Sequence, residues 1–294
     1  MDISILTNYS FLVVVFGTVI LAIASGMIGT VSVLKGQSLI GDAIGHSSFA
    51  GIVISFILFQ QRNPVILAIG ALFSGIVAFF SIQLIDKNAK ITLDSVLALV
   101  LSSFFGLGMV LKSYIQGNPE FSNASQAGLQ NYIFGQAAYL MRNDVYLIIL
   151  AAIVSISLLL FFYKEIKIFV FDKQFARSVG IKASFLNWLI LIMSMVLISV
   201  GLKAVGAILI SSMLIAPAIT GLQWSNRFPM VLLIAGIVGG LSAFIGTYIS
   251  STIQNIPTGP MIIVIMSIFA FLSVLFSPKG LFAGLLRKRK GVKG

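Results

Sequence analysis

The chain has no cysteine, which excludes a disulfide framework, a thiolate metal site and a redox couple. It is also poor in charge. Only 9% of its residues are Asp, Glu, Lys or Arg, where a soluble domain carries about 25%. Eight residues are acidic and one is histidine. The phosphate-cradling pattern of glycine, four residues, glycine, lysine and serine or threonine is absent, so any nucleotide hydrolysis belongs to another subunit. What is abundant is apolar: 59% of the 294 residues are hydrophobic, and mean hydropathy is +1.09. One soluble core cannot hold that much apolar side chain, because cores stop growing near this length. A soluble globular enzyme is excluded, and so is a disordered chain. A polytopic membrane protein remains. Its formal net charge of +11 then reads as a basic excess in cytoplasmic loops, with no nucleic-acid partner.

A membrane helix needs about 20 mostly apolar residues. Such runs lie at Phe11–Leu34, Leu39–Phe59, Pro64–Ile85, Leu93–Leu111, Val145–Tyr163, Phe185–Leu202, Val205–Leu222, Met230–Ser251 and Gly259–Phe276. They make nine candidate spans, or eight full spans and one short or broken helix. The second opens with Gly41, Asp42 and Gly45, and the seventh contains Pro217. The first run has no basic residue before it and no small-residue cleavage site, so it reads as a retained helix.

Orientation follows Lys and Arg. Lys164, Lys167, Lys173, Arg177 and Lys182 sit between spans five and six, and Lys279, Arg287, Lys288, Arg289, Lys290 and Lys293 form the tail. Placing both inside also puts Lys35, Lys87, Lys90 and Arg227 inside. Arg62, Lys112, Arg142 and Lys203 are left outside. The expectation is a multi-pass protein of the plasma membrane with a cytoplasmic C-terminus. It has one transmembrane domain over 1–286, no soluble domain on either side, and a basic tail over 287–294 that anchors at the lipid surface. The outer loop from Lys112 to Asp144 is polar and rich in small residues. The inner loop, 164–184, mixes Phe169, Phe171 and Phe175 among its charges. It reads as a short amphipathic helix at the inner surface, either an interfacial anchor or a docking element for a cytoplasmic partner.

Seven of the eight acids fall in loops, termini or span ends. Asp42 alone lies within a span, and the one histidine, His46, follows four residues later. On a helix, residues four apart share a face, with roughly 6 Å between their Cβ atoms. An ionisable group at such depth costs at least about 2.5–3.5 kcal/mol, and persists where it faces a protein interior and has a use. A carboxylate oxygen and a neutral imidazole nitrogen both bind Mn²⁺, Fe²⁺ or Zn²⁺. Two ligands are too few to dehydrate a divalent ion. A second copy of the helix across a dimer axis would add two more, and two carboxylates balance one dication. The bland alternative is an Asp–His hydrogen bond that locks a helix pair. Gly41 and Gly45, four apart, suit close helix approach.

The segment Gly36-Gln37-Ser38-Leu39-Ile40-Gly41-Asp42-Ala43-Ile44-Gly45-His46 resembles a signature of the permease subunits of manganese, zinc and iron ABC importers, in which Ser-Leu-x-Gly-Asp-Ala-x-x-His opens an early helix. Four further matches follow in order. Phe171-Asp172 with Ala176 and Gly180 resembles the family's loop that docks on the ATPase. Val205-Gly206, then Met213-Leu214-Ile215-Ala216-Pro217-Ala218 and Thr220, is similar to its proline-broken helix. Gly259-Pro260 with 262–264 resembles the start of its last span. Asn123-Ala124-Ser125-Gln126 with Phe134-Gly135-Gln136 resembles the branch tied to manganese or iron uptake. The chain departs from the pattern at Gly45, where the family often has serine, and at Phe49-Ala50, where it often has Leu-Pro. Both ligand types stay in place.

The resemblance implies an all-α, type II importer architecture of eight to nine spans. It implies an ABC ATPase partner on the cytoplasmic side, an extracellular metal-binding lipoprotein and a second permease subunit. Asp42 and His46 match the positions where metal passes. No permanently bound cofactor is expected, and the divalent ion is cargo.

Two other classes remain for comparison. A secondary transporter would use Asp42 and His46 as a proton relay and need no ATPase. An intramembrane enzyme fits poorly: one membrane aspartate cannot make an aspartyl protease, and one histidine cannot make His-Glu-x-x-His. Pro217 either gates or merely fits the bundle. Met213 reads as packing.

Overall fold

The computed structural model describes residues 7–61, 63–118, 121, 129, 131–207, 209–253 and 255–283, and contains no strand among them. The helices are α1 (Tyr9–Leu34), α2 (Ser38–Phe59), α3 (Pro64–Asn88), α4 (Leu93–Gly117), α5 (Asn131–Phe134), α6 (Arg142–Phe161), α7 (Tyr163–Phe171), α8 (Lys173–Ser178), α9 (Ala183–Val205), α10 (Ile210–Trp224), α11 (Phe228–Thr252) and α12 (Thr258–Phe276). Eight are long and apolar enough to cross a membrane. The ninth candidate span is α10, which has 15 residues and Pro217 inside it. At about 1.5 Å per residue it reaches roughly 22 Å, short of a 30 Å core.

Helix starts are set by local chemistry. Asn8, Asn63 and Thr92 accept hydrogen bonds from the first-turn amides of α1, α3 and α4. Pro64 sits where a missing N–H costs nothing. Between elements, α1 packs on α6, α9, α10 and α11, while α2 is wedged between α3 and α4 and leans on α9 and α10. These contacts are backbone-close. A Cβ on Gly29 would stand 2.0 Å from the Leu214 carbonyl oxygen, and one on Gly51 would stand 2.0 Å from that of Gly70. Without a hydrophobic drive between helices in lipid, such close approach is what holds them. By contrast α4 turns Ala98, Ser102, Ser103, Gly106 and Leu107 outward.

The break between α9 and α10 falls after Val205, three residues beyond the expected end of the sixth span. Gly206 leaves the helix at φ +92. The freed backbone groups find partners in the segment before α6. The Gln136 amide donates to the Lys203 carbonyl (3.0 Å), and the Ala207 amide donates to that of Tyr132 (2.9 Å). Irregular backbone at membrane depth is tolerated only where protein satisfies it in this way. Residues Asn123 to Gln126, singled out in the sequence, lie outside the described residues, as does the tail 287–294.

The helix ends sort by charge. Lys35, Lys87, Lys90, Arg227, Lys279 and the α7–α8 segment gather at one end, the basic end. There the amines of Lys35 and Lys173 lie 5.6 and 5.9 Å from the centre of the Phe169 ring. Burial, and then the neighbouring Lys173 charge, lower the pKa of Lys35 from 10.5 to about 8. At the opposite end, Lys203 of α9 meets Asp144 of α6 at 2.5 Å. Asp144 is 5% exposed and also accepts from the Met141 amide at 2.8 Å.

Two predictions follow from these charges. Lys203→Met strands a buried carboxylate and should cost about 3–5 kcal/mol, whereas Asp144→Asn with Lys203→Met should recover most of it. Thermal unfolding of the detergent-purified protein checks this. Between pH 8 and 10.5 the unfolded chain holds a proton on Lys35 that the folded chain has shed, so stability gains with rising pH. The unfolding midpoint should therefore rise across that window relative to Lys35→Met.

Candidate metal-passage site

The turn that delivers the site is tight. Gly36, at φ +68, ends α1 with its amide on Val33 (2.9 Å), and the Gln37 amide reaches Ser32 (3.0 Å). This pairing is a left-handed glycine cap. Helix α2 starts two residues later, so Asp42 lies about 6 Å and His46 about 12 Å along it.

His46 Nε2 stands 3.7 Å from Asp42 Oδ1. That is beyond hydrogen-bonding reach. It suits two ligands of one cation: bonds of about 2.2 Å at a tetrahedral angle place their donor atoms about 3.6 Å apart. The side chains are 33% (Asp42) and 14% (His46) exposed, so the acid is partly open and the imidazole mostly buried. With Leu39, at 49% exposure, they form a stripe along the surface of α2. The shelter comes from Phe105 of α4, whose ring meets the imidazole edge-to-face, with centroids 5.1 Å apart and an 88° angle. His46 Nδ1 is buried without a hydrogen-bonding partner among the described residues. Among the described residues no third histidine, aspartate or glutamate joins the pair.

The same turns of α2 point their glycines elsewhere. A Cβ on Gly41 would lie 3.3 Å from Leu214, and one on Gly45 would lie 2.9 Å from Ile210, both on α10. The small stripe therefore seats α10 of the same chain, and the acid and imidazole turn away from it. A cavity of about 30 Å³, walled by Ser32, Lys35, Gln37 and Ser194 together with Ile40 and Ile190, lies among α1, α2, α9 and α10. It holds about one water and is too small for a hydrated ion. Met213 and Pro217 are buried in α10, and Pro217 sits against Gly26 of α1. Neither joins the pair.

The loop read as one amphipathic helix is two helices, α7 and α8. Asp172 breaks them: its carboxylate accepts from the amides of Gln174 (3.0 Å) and Phe175 (2.8 Å) and caps α8. Gly180, at φ +81, closes the other end. Its amide bonds Arg177, and that of Ile181 bonds Ala176. Ala176 is fully buried, while Phe171, Phe175 and Val179 are more than half exposed. Thus Asp172, Ala176 and Gly180 shape the element, and Phe171 belongs to its exposed apolar face.

Sequence reasoning did not single out Phe105 or the pairing of Asp144 with Lys203. No periodicity marks an aromatic that faces an imidazole on another helix. A lone lysine closing an apolar run was the available sign of the second.

Comparison with known proteins places this architecture. The profile of the ABC 3 transport family matches residues 8–277, from the first turn of α1 through α12. A manganese transport system membrane protein, MntC of Bacillus subtilis, is 40% identical over 93% of this chain, which spans 62% of that protein's length. The zinc transport system membrane protein TroC of Treponema pallidum is 35% identical over 97% of this chain and 95% of its own. PsaBC from Streptococcus pneumoniae in complex with Fab superimposes with a TM-score of 0.85 at 26% identity, over 96% of this chain and 97% of that one. With its eight membrane-length helices inside the matched span, this chain belongs to the ABC 3 transport family as a multi-pass membrane permease.

Proposed function

We propose that the chain is the permease of an ATP-driven importer of a divalent transition metal, with Mn²⁺ favoured and Zn²⁺ or Fe²⁺ as the other candidates. The observation that carries this reading is the convergence of Asp42 Oδ1 and His46 Nε2 at 3.7 Å on an open stripe. Two ligands hold a cation weakly. A second permease copy presenting the same stripe supplies two more, and the paired carboxylates neutralise the ion's charge. A neutral site of modest affinity suits transit, since the ion must also leave. Oxygen-rich donor sets lean toward manganese, and relatives named for manganese and zinc transport support the class of cargo.

In this reading the basic end faces the cytoplasm, the C-terminal tail with it, and residues 1–286 form one transmembrane domain. An extracellular metal-binding lipoprotein delivers the ion to the opposite end. A separate ABC ATPase docks on α7–α8, where Phe171, Phe175 and Val179 offer an apolar face around the capped helix α8. Its nucleotide cycle moves that element and switches the permease pair between outward-open and inward-open states.

The test is radioactive Mn²⁺ uptake into proteoliposomes holding the permease with its ATPase. Asp42→Asn combined with His46→Ala should cut uptake by more than the roughly 10–100-fold that losing an outer-shell partner costs, while the ATPase still co-purifies. Normal uptake in the double variant, or full uptake with no ATPase present, would end the proposal; the second result would favour a proton-coupled carrier.

A further inference from the structure

We infer that the seam between α1 and α6 holds an anionic phospholipid, with its phosphate on the Arg142 guanidinium and an acyl chain in the groove below. Asp42 and His46 play no part in this site, which lies at the end of the molecule opposite the basic one.

Helices α1 and α6 pack against each other. Gly17 lets them close: a Cβ there would lie 3.2 Å from a Val145 methyl. Along the seam runs a groove of about 290 Å³. Tyr9 and Arg142, the first residues of their helices, mark one end of it. Phe16 and Ile149, each seven residues on, mark the other, about 10 Å deeper. The polar side chains of the groove are Tyr9, Arg142 and Tyr146, all within about 6 Å of the first end, and every other lining residue is apolar. Tyrosine at the end of a membrane helix stands at headgroup level, and arginine extends its charge to the same depth. A cationic mouth over an apolar run is the complement of a phospholipid.

Arg142 is exposed, and its Nε donates to the Tyr9 hydroxyl while its guanidinium carbon stands 4.8 Å from the centre of that ring. Both terminal amino groups are left without a protein acceptor among the described residues. The neighbouring carboxylate, Asp144, is taken up by Lys203 and the Met141 amide. Such a free fork matches the paired oxygens of a phosphate. A headgroup that also carried an ammonium would meet no carboxylate here, so the fit is to a lipid of net negative charge, such as phosphatidylglycerol. A water-soluble partner could reach Arg142, but it could not fill the apolar walls that run inward beneath it.

The test uses the permease–ATPase complex in phosphatidylcholine vesicles that contain a trace of phosphatidylglycerol with a photoactivatable diazirine in one acyl chain. After irradiation, mass spectrometry should find label on residues 12–16 and 145–149. Replacing part of the phosphatidylcholine with unlabelled phosphatidylglycerol, at constant total lipid, should displace that label and spare label on the exposed flank of α3, around Phe73 and Phe80. Arg142→Gln should cut label in the groove at least about 10-fold, the scale of a charge-assisted hydrogen bond. Groove label that phosphatidylglycerol does not displace, or that Arg142→Gln leaves unchanged, is bulk lipid and would overturn the inference. Unchanged label together with lost Mn²⁺ uptake in Arg142→Gln would also overturn it, and would assign the arginine to docking of a protein partner. Should Arg142→Gln fail to assemble, the displacement measured in the parent protein decides.

Discussion

Hydrocarbon offers no hydrogen bonds, so every polar group carried into it must find a partner inside the protein. The long helices answer this for the backbone with their own ladders. The one described interruption, between Val205 and Ile210, is answered by a neighbour: the segment around Tyr132 and Gln136 lends a carbonyl and an amide to the break. The same demand sorts the charges. Asp144 and Lys203 satisfy each other. Lys35 lies along Phe169, and burial has pushed it toward neutrality. Asp42 and His46 differ from these charges: they are near each other, too far apart to bond, and partly exposed.

That contrast separates scaffold from candidate site. A structural ion pair closes on itself, as Lys203 does on Asp144. A pair left ajar at the spacing of two ligands fits the proposed role of holding a cation between them. The packing around it keeps it ajar. Gly41 and Gly45 press α2 against α10, so the opposite flank, with the acid and imidazole, stays at the surface. Phe105 packs edge-to-face with the imidazole.

Much of this was legible in the residues. Long apolar runs marked every long helix, because length and hydropathy are the quantities a bilayer reads. The doubt over the seventh run was well founded: Pro217 and the glycine before it mark a helix too short to span alone. Asp42 and His46 stood out because charge is rare in a span and i, i+4 geometry follows from helical pitch. The two-helix form of the 164–184 loop was harder to foresee, since it depends on Asp172 acting as a cap. Tertiary partners were not legible. Nothing local says that Phe105 reaches His46, or that Lys203 crosses to Asp144, because such meetings depend on how separate helices are laid side by side.

Helix α8 is only six residues long, a length at which an isolated helix would come apart in water. Here a carboxylate ties off one end and a left-handed glycine the other, and Ala176 is seated in between. A plug fastened at both ends has little slack. Phe171, just before it in α7, meets Phe228 at the root of α11 edge-to-face, with ring centroids 6.0 Å apart. Under the proposed docking of an ATPase on α7–α8, the stiffness of this small piece sets how faithfully a displacement outside the bilayer is reproduced within it.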